Sequence, residues 1–583
     1  MTTDKRAACP RPDMFRENWI DLNGNWKFAF DDEERGMRHK WYENHDYGLS
    51  IQVPFCYQSR QSGIHDTEKH FCLWYERKAP VTEAMKGKRV WLHFGAVDYE
   101  SVVWINGYYA GNHKGGFTPY SLDITELIDF GGKDFTVTVY CRDDDSIEKP
   151  RGKQHWAPET DRCWYTATSG IWQNVWLELT PGYRLEHIKI TPDIDKKTAE
   201  IIFRFSEKPV KGYVEWRLKF REKELKGGKL SISKEKERLI ISIENEDPID
   251  NKLHLWEPEH PNLYELEAEV YDGGRLQDRV ETYFGMRKIE RRGEHIYLNH
   301  FPLYQRLVLD QGYWAESLMT PPSGEALLKD LELVKKMGFN GVRKHQKAED
   351  PRFLYYADLM GILVWEEMPS MYEFGEEGMH AFFTEYMQML ERDYNHPCII
   401  VWVPFNESWG IRDVLWDERQ QSFARSVYEL TRAFDETRLI STNDGWESLP
   451  ADMVGIHDYE SDPEKLFRVY EDKEKLLGYT AVGKMICSRA FTYGGEPVLL
   501  SEFGGIAMED GREESWGYHE KAADSSVLKE KIKGLVETIK NLSYLEGYCY
   551  TQLTDVEQET NGLLYADRSP KFDLEDMEEI FGN

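Results

Sequence analysis

Two stretches of this chain end an apolar run on a carboxylate. Residues 399–409 read IIVWVPFNESW, with six of the first seven apolar before Asn406-Glu407. Residues 497–505 read PVLLSEFGG, and that run closes on Glu502. An apolar run without alternation is the pattern of a strand buried on both faces, as in a parallel sheet. A carboxylate at the exit of such a strand sits where an α/β barrel presents its reactive groups. Two carboxyls facing one pocket can divide the work of glycoside hydrolysis. One, protonated, gives a proton to the leaving oxygen, and the other, ionised, attacks the anomeric carbon to form a glycosyl-enzyme. That retaining chemistry requires the two groups about 5–5.5 Å apart. Glu407 and Glu502 are therefore the expected catalytic pair.

The elements that must position this pair occupy residues 291–583, where strand and helix patterns alternate. Strands are expected at 303–309, 340–345, 362–366, 399–405, 439–443, 454–457, 498–501 and 546–552. Between them lie helical patterns. In 323–337, Ser323 is a cap, Leu327, Leu331 and Val334 form a stripe, and Gly338 is a stop. Eight strands in roughly 290 residues is the repeat of a (β/α)8 TIM barrel. The strand exits carry a polar and aromatic set: Asp310 and Trp314, Arg343 and His345, Trp365 with Glu366 and Glu367, Asn406, Asn443 and Asp444, His457 and Tyr459, Tyr550 and Gln552. A lone polar residue at a strand end fits a helix cap or a salt bridge equally well. Agreement across eight strands favours a site. The expected substrate-binding residues are Asp310, Trp314, Arg343, His345, Trp365, Asn406, His457, Tyr459, Tyr550 and Gln552. Arg343 is expected to pair with Glu502 by charge, and Tyr459 to hydrogen-bond it. Asn406 offers an amide to the sugar 2-hydroxyl.

Upstream, residues 1–181 read as short aromatic and β-branched runs separated by turns such as Asn23-Gly24 and Asn106-Gly107, a jelly-roll β-sandwich. Its Trp-rich segments, His155-Trp156 and Trp164-Tyr165, either bind sugar or pack on a neighbouring unit, and packing is favoured. Residues 182–290 carry about seven short strands and fit an immunoglobulin-like sandwich. The charged interval 222–236 is expected to be a solvated hairpin region.

The net charge of −31 argues against nucleic acid and anionic membrane as partners. The 19 Trp, 33 Tyr and 27 Phe supply large cores and rings for stacking on sugar faces. No leader-like apolar core opens the chain, and no run has the length of a membrane helix. The eight Cys show no paired spacing, and Cys398 and Cys549 lie inside apolar runs. The expectation is a soluble cytoplasmic enzyme with no cofactor, no metal and a carbohydrate substrate, possible as a homo-oligomer.

The chain resembles glycoside hydrolase family 2, which includes β-galactosidases, β-glucuronidases and β-mannosidases. In the first unit the likeness rests on WIDLNGNWKF (19–28), VWINGYYAGNHKGGFTPYSLDIT (103–125) and SGIWQNVWLEL (169–179). In the barrel it rests on FNGVRKHQ (339–346), WVPFNES (402–408) and LLSEFGG (499–505). The resemblance implies Glu407 as acid/base, Glu502 as nucleophile, Asn406 as the 2-hydroxyl contact, His345 as a pocket histidine and Tyr459 beside the nucleophile. Two segments depart from the family. The run RLVLDQGYW (306–314) replaces an Arg-Gly-Val-Asn pattern. The run Glu559-Thr560-Asn561-Gly562 lacks the lysine that holds the carboxylate in glucuronidases, and Glu559 would repel a uronate. No further sandwich follows the barrel, so loops or another subunit are expected to shape the pocket. The expected function is a retaining exo-β-glycosidase, β-galactosidase-like. A β-glucuronidase or β-galacturonidase is the alternative, with Arg343 or Lys344 as the substitute cation. A non-catalytic carbohydrate-binding protein is the alternative of another class.

Overall fold

A computed structural model of the chain describes residues 5–244, 253–478, 480–481, 483–509, 511 and 515–582. The first unit is a sandwich of a six-stranded and a four-stranded sheet. Alternation fixes which face is inside: in Gly24–Phe30, Trp26 and Phe28 are buried while Lys27 points out. Strand Val175–Thr180 breaks that alternation and is buried throughout, because its outer face meets the rest of the molecule.

The second unit packs a three-stranded sheet on a four-stranded one. Strand Gly212–Phe220 alternates perfectly, with Val214 and Leu218 in the core. The charged interval forms a strand, Lys223–Ser231, paired with Gly212–Phe220. Its side chains stay largely in water, so the hairpin expectation holds while its regular pairing is new.

The barrel strands are β1 (Gln305–Asp310), β2 (Gly341–Lys344), β3 (Leu363–Glu367), β4 (Ile399–Val403), β5 (Leu439–Ile440), β6 (Val454–His457), β7 (Val498–Gly504) and β8 (Leu545–Thr551). The hydrogen-bonded order is β5-β4-β3-β2-β1-β8-β7-β6, all parallel. The seam between β5 and β6 is narrowed by Asn443–Asp444 and a bond from His457 N to Gly445 O of 3.1 Å. The outer helices include α1 (Gly324–Lys336), α2 (Pro351–Met360) and α3 (Glu376–Asp393). Ser323 caps α1 through its side chain, as its type requires. β4 and β7 are buried along their whole length, which explains their unbroken apolar reading. Among the described residues no helix is long and apolar enough to cross a membrane.

The two sandwiches are clamped by Arg16, which is buried. Its guanidinium donates to Glu178 of the first unit at 2.7 Å, and to Asp278 at 2.9 and 3.0 Å and Leu185 O at 2.6 Å in the second. Removing one member of such a pair strands buried charge. Arg16→Leu is expected to cost about 3–5 kcal/mol, read as a lower urea midpoint. A midpoint equal to wild type would show the clamp to be dispensable.

Candidate active site

The approach of Glu407 to the pocket depends on a strained corner. After β4, Phe405–Asn406 pairs in parallel with Asn443–Asp444. Glu407 and Ser408 then adopt left-handed backbone, φ 52° and 59°. Each such residue costs about 1–2 kcal/mol unless the surroundings hold it. Here Asp444 O accepts from Glu407 N at 2.9 Å, and Asn443 Oδ1 accepts from Ser408 N at 2.9 Å. The corner lifts the Glu407 carboxyl, 18% exposed, out of the barrel wall. Glu502 lies within β7 and is buried. Glu407, His457 and Glu502 each contribute an atom to a trio whose mutual distances are all within 4.8 Å.

Arg343 of β2 joins four strands beneath this trio. It donates to Glu367 at 2.8 Å, Glu502 Oε1 at 2.9 Å and Asn406 Oδ1 at 2.7 Å, and forms an ion pair with Asp444 at 2.8 Å. The other oxygen of Glu502 accepts from the Tyr459 hydroxyl. Both oxygens of Glu502 are thus held by donors from opposite sides. Because Asn406 Oδ1 faces Arg343, its amide nitrogen is turned away from the guanidinium. Burial pushes the Glu367 carboxyl up to about 7, against the pull of Arg343.

His457 stands between the two glutamates. Its Nδ1 meets Glu407 at 2.8 Å, and its Nε2 meets Asp444 at 2.9 Å. Burial alone would lower its pKa. The charge of Glu502 and the bonds to Asp444 and Glu407 outweigh burial and lift it to about 10. The ring is therefore an imidazolium at neutral pH. The same Nε2 also faces Arg343 Nη1 at 3.0 Å, so the ring is shared between two carboxylates and a guanidinium.

The other residues expected from sequence divide into two groups. His345 joins the network, with Nδ1 at 3.1 Å from Glu367. Asp310 and Gln552 serve the frame: Lys344 Nζ meets Asp310 at 2.6 Å, and Gln311 donates to Gln552 at 2.9 Å. Three residues lie elsewhere. Trp365 points into the barrel and donates to Gln305 at 2.7 Å. Tyr550 faces outward to Phe581, 5.4 Å between ring centroids. Trp314 lines a separate cavity with Tyr313 and Tyr565. Trp365 shares the inner face with Glu367 but sits one layer deeper, Tyr550 takes the outer face by the side-chain period of two, and the loop carries Trp314 away. Lys344 is occupied by Asp310 and Glu349, and Arg343 by its four partners, so neither stands free for a substrate carboxylate.

The first sandwich completes the wall. Trp164 donates to the Tyr372 hydroxyl at 2.9 Å and packs on Trp409 at 5.3 Å, and Trp156 packs on Tyr372 at 4.7 Å. Packing on a neighbouring unit, the favoured expectation for these segments, is what they do. The Tyr165 hydroxyl donates to Glu559, and Gln558 Nε2 donates to Trp164 O at 2.9 Å. This stitches the loop after β8 to the sandwich. Tyr518, stacked on Tyr459 at 3.5 Å, and Lys153, which is buried near Glu502, are neighbours that no strand-exit pattern indicates.

The charge on His457 gives a pH dependence. Its bonded form is the imidazolium, and its folded pKa lies above the ordinary value of about 6.5. Its stabilisation is complete below about pH 6.5 and is lost as pH rises toward about 10. A His457→Gln variant lacks this slope. The Tm gap between wild type and variant is expected to narrow from pH 6 to pH 10, followed by differential scanning calorimetry; a constant gap would contradict the charged assignment.

Comparison with known proteins agrees with this architecture. Residues 20–181 match the model "Glycosyl hydrolases family 2, sugar binding domain", and 183–287 match "Glycosyl hydrolases family 2". Residues 322–583 match "Glycosyl hydrolases family 2, TIM barrel domain". A β-galactosidase of Thermoanaerobacter pseudethanolicus is 27% identical over 73% of this chain and 54% of its own length. The chain thus spans about half the length of that relative. A β-glucuronidase of Paenibacillus borealis is 24% identical over 84% of this chain and 83% of its own. The solved structure of an uncultured Clostridium β-glucuronidase shares the fold, with a TM-score of 0.78 over 97% of this chain and 98% of that one at 21% identity. With matches across all three units, in the same order as the units of the fold, the chain belongs to family 2 of the glycosyl hydrolases.

Proposed function

We propose that the protein is a retaining exo-β-glycosidase, with Glu502 as nucleophile and Glu407 as acid/base. The observation that carries this reading is the meeting of the two carboxyls within 4.8 Å, across a site that holds one of them by both oxygens. Carboxyl oxygens that close suit the direct attack of a retaining enzyme better than the wider gap of an inverting one. Glu502 attacks the anomeric carbon while Glu407 gives its proton to the leaving oxygen. Glu407 then takes a proton from water, which displaces Glu502 from the sugar. Tyr459 and Arg343 fix the attacking rotamer. The Asn406 amide nitrogen, turned from Arg343, is the donor for the sugar 2-hydroxyl, alongside His345 in the pocket. Relatives named β-galactosidase and β-glucuronidase support a β-linked hexose or hexuronic acid as glycone. The eight cysteines are free thiols, which supports a cytoplasmic location.

Turnover of 4-nitrophenyl β-glycosides with the product anomer followed by proton NMR tests the mechanism. First-formed β-sugar is expected; first-formed α-sugar would overturn it. Glu502→Gln is expected to lower kcat on the order of 10⁴-fold. Glu407→Gln should lose more on alkyl glycosides than on nitrophenyl ones, whose leaving group needs little protonation. Failure to release nitrophenol from any β-glycoside would favour a carbohydrate-binding protein.

A further inference from the structure

The wall of the site contains a cation that the catalytic network does not use. Lys153 comes from the first sandwich, on a loop docked against the barrel. Arg151 N and Gly152 N both donate to Ser370 O, at 2.9 and 3.1 Å. Gly152 has φ 61°, and a Cβ there would lie 2.3 Å from Gln346 O, so only glycine allows this approach to the exit of β2. Lys153 itself is 8% exposed, with its Nζ 5.8 Å from the ring centre of Trp164. That ring in turn packs on Trp409, two residues after Glu407.

Among the described residues no carboxylate pairs with the Lys153 ammonium, and its neighbour is the thiol of Cys163. That thiol is a weak acceptor, pushed by burial up to about 11. Burial opposes a charge on Lys153, but Cys163, Glu559, Tyr372 and Glu502 together hold its pKa above the usual lysine value. An ammonium whose neighbour is a neutral thiol can add a charge-assisted bond when a ligand brings an anionic oxygen. Glu559 does not fill that role. Its oxygens accept from Tyr165 and from Asn561 at 2.9 Å.

We infer that Lys153 binds the carboxylate of an acidic glycone, so that β-linked uronides are the preferred substrates. The inference rests on the glycosidase reading of Glu407 and Glu502. It places the specificity cation on the sandwich loop, where the barrel loop 559–562 has none. A uronate oxygen would form a charge-assisted bond to Lys153 that a neutral hydroxymethyl group cannot match.

Wild type, Lys153→Met and Lys153→Arg are compared on 4-nitrophenyl β-D-glucuronide, β-D-galacturonide, β-D-galactoside and β-D-glucoside. Wild type is expected to favour a uronide. Lys153→Met should lower kcat/KM for that uronide by about 100-fold, chiefly through KM, and change the hexosides less than about threefold. Lys153→Arg, which keeps the charge, should retain the uronide preference. Equal losses on uronides and hexosides, or a wild type that turns over hexosides but no uronide, would overturn the inference and leave the glycosidase reading standing. A wild type inert on the whole panel would overturn both. Calorimetric binding of glucuronate against glucose to Glu502→Gln gives a readout independent of turnover. Equal affinities there would also overturn the inference.

Discussion

A single buried guanidinium holds the reactive end of this barrel together. Arg343 is fully buried and faces Glu367, Asp444, Glu502 and Asn406, contributed by β3, the extension of β5, β7 and the extension of β4. Three carboxylates in one dry space would repel one another and pay heavily for desolvation. The fixed fork of an arginine supplies donors in several directions at once, which a lysine cannot do. The imidazolium of His457 supplies the second positive charge, between the glutamates. The cluster is therefore a lattice of alternating charge, and its geometry follows from satisfying each member.

That lattice explains the tolerated strain at Glu407 and Ser408. Two successive left-handed residues would not persist in an isolated turn. They persist because Asn443 and Asp444 accept both backbone N–H groups, while Asp444 is itself anchored to Arg343 and His457. The cost of the corner is offset by the same network that holds Glu502. The first sandwich adds a second constraint. Its loop through Gly152, Trp156 and Trp164 is packed on Tyr372 and Trp409, so side chains of two units meet close to Glu407.

Much of the fold was legible in local pattern. β4 and β7 announce themselves because strands buried on both faces need no polar alternation, and α1 because a cap, a stripe and a stop agree. In 222–236 the density of charge hides a strand, whose few apolar residues, Leu225, Leu230 and Ile232, reach the core of the second unit. At the strand exits, pattern located the ring of candidates but not the direction of each side chain. Tyr550 points to the helix layer and Trp365 to the barrel interior, since a shift of one residue reverses the face.

The sequence by itself determined three successive units, a parallel barrel, and carboxylates at the ends of two opposed strands. Each of these follows from periodicity and residue type within a short window. Only the tertiary structure decided that Arg343 and Lys344 are occupied, that carboxylates surround His457 and raise its pKa, and that Lys153 is buried against Trp164. Lys153 and Glu502 are hundreds of residues apart along the chain, and charge state depends on what surrounds a group in space. No local pattern records either property, because both arise only when distant segments are packed together.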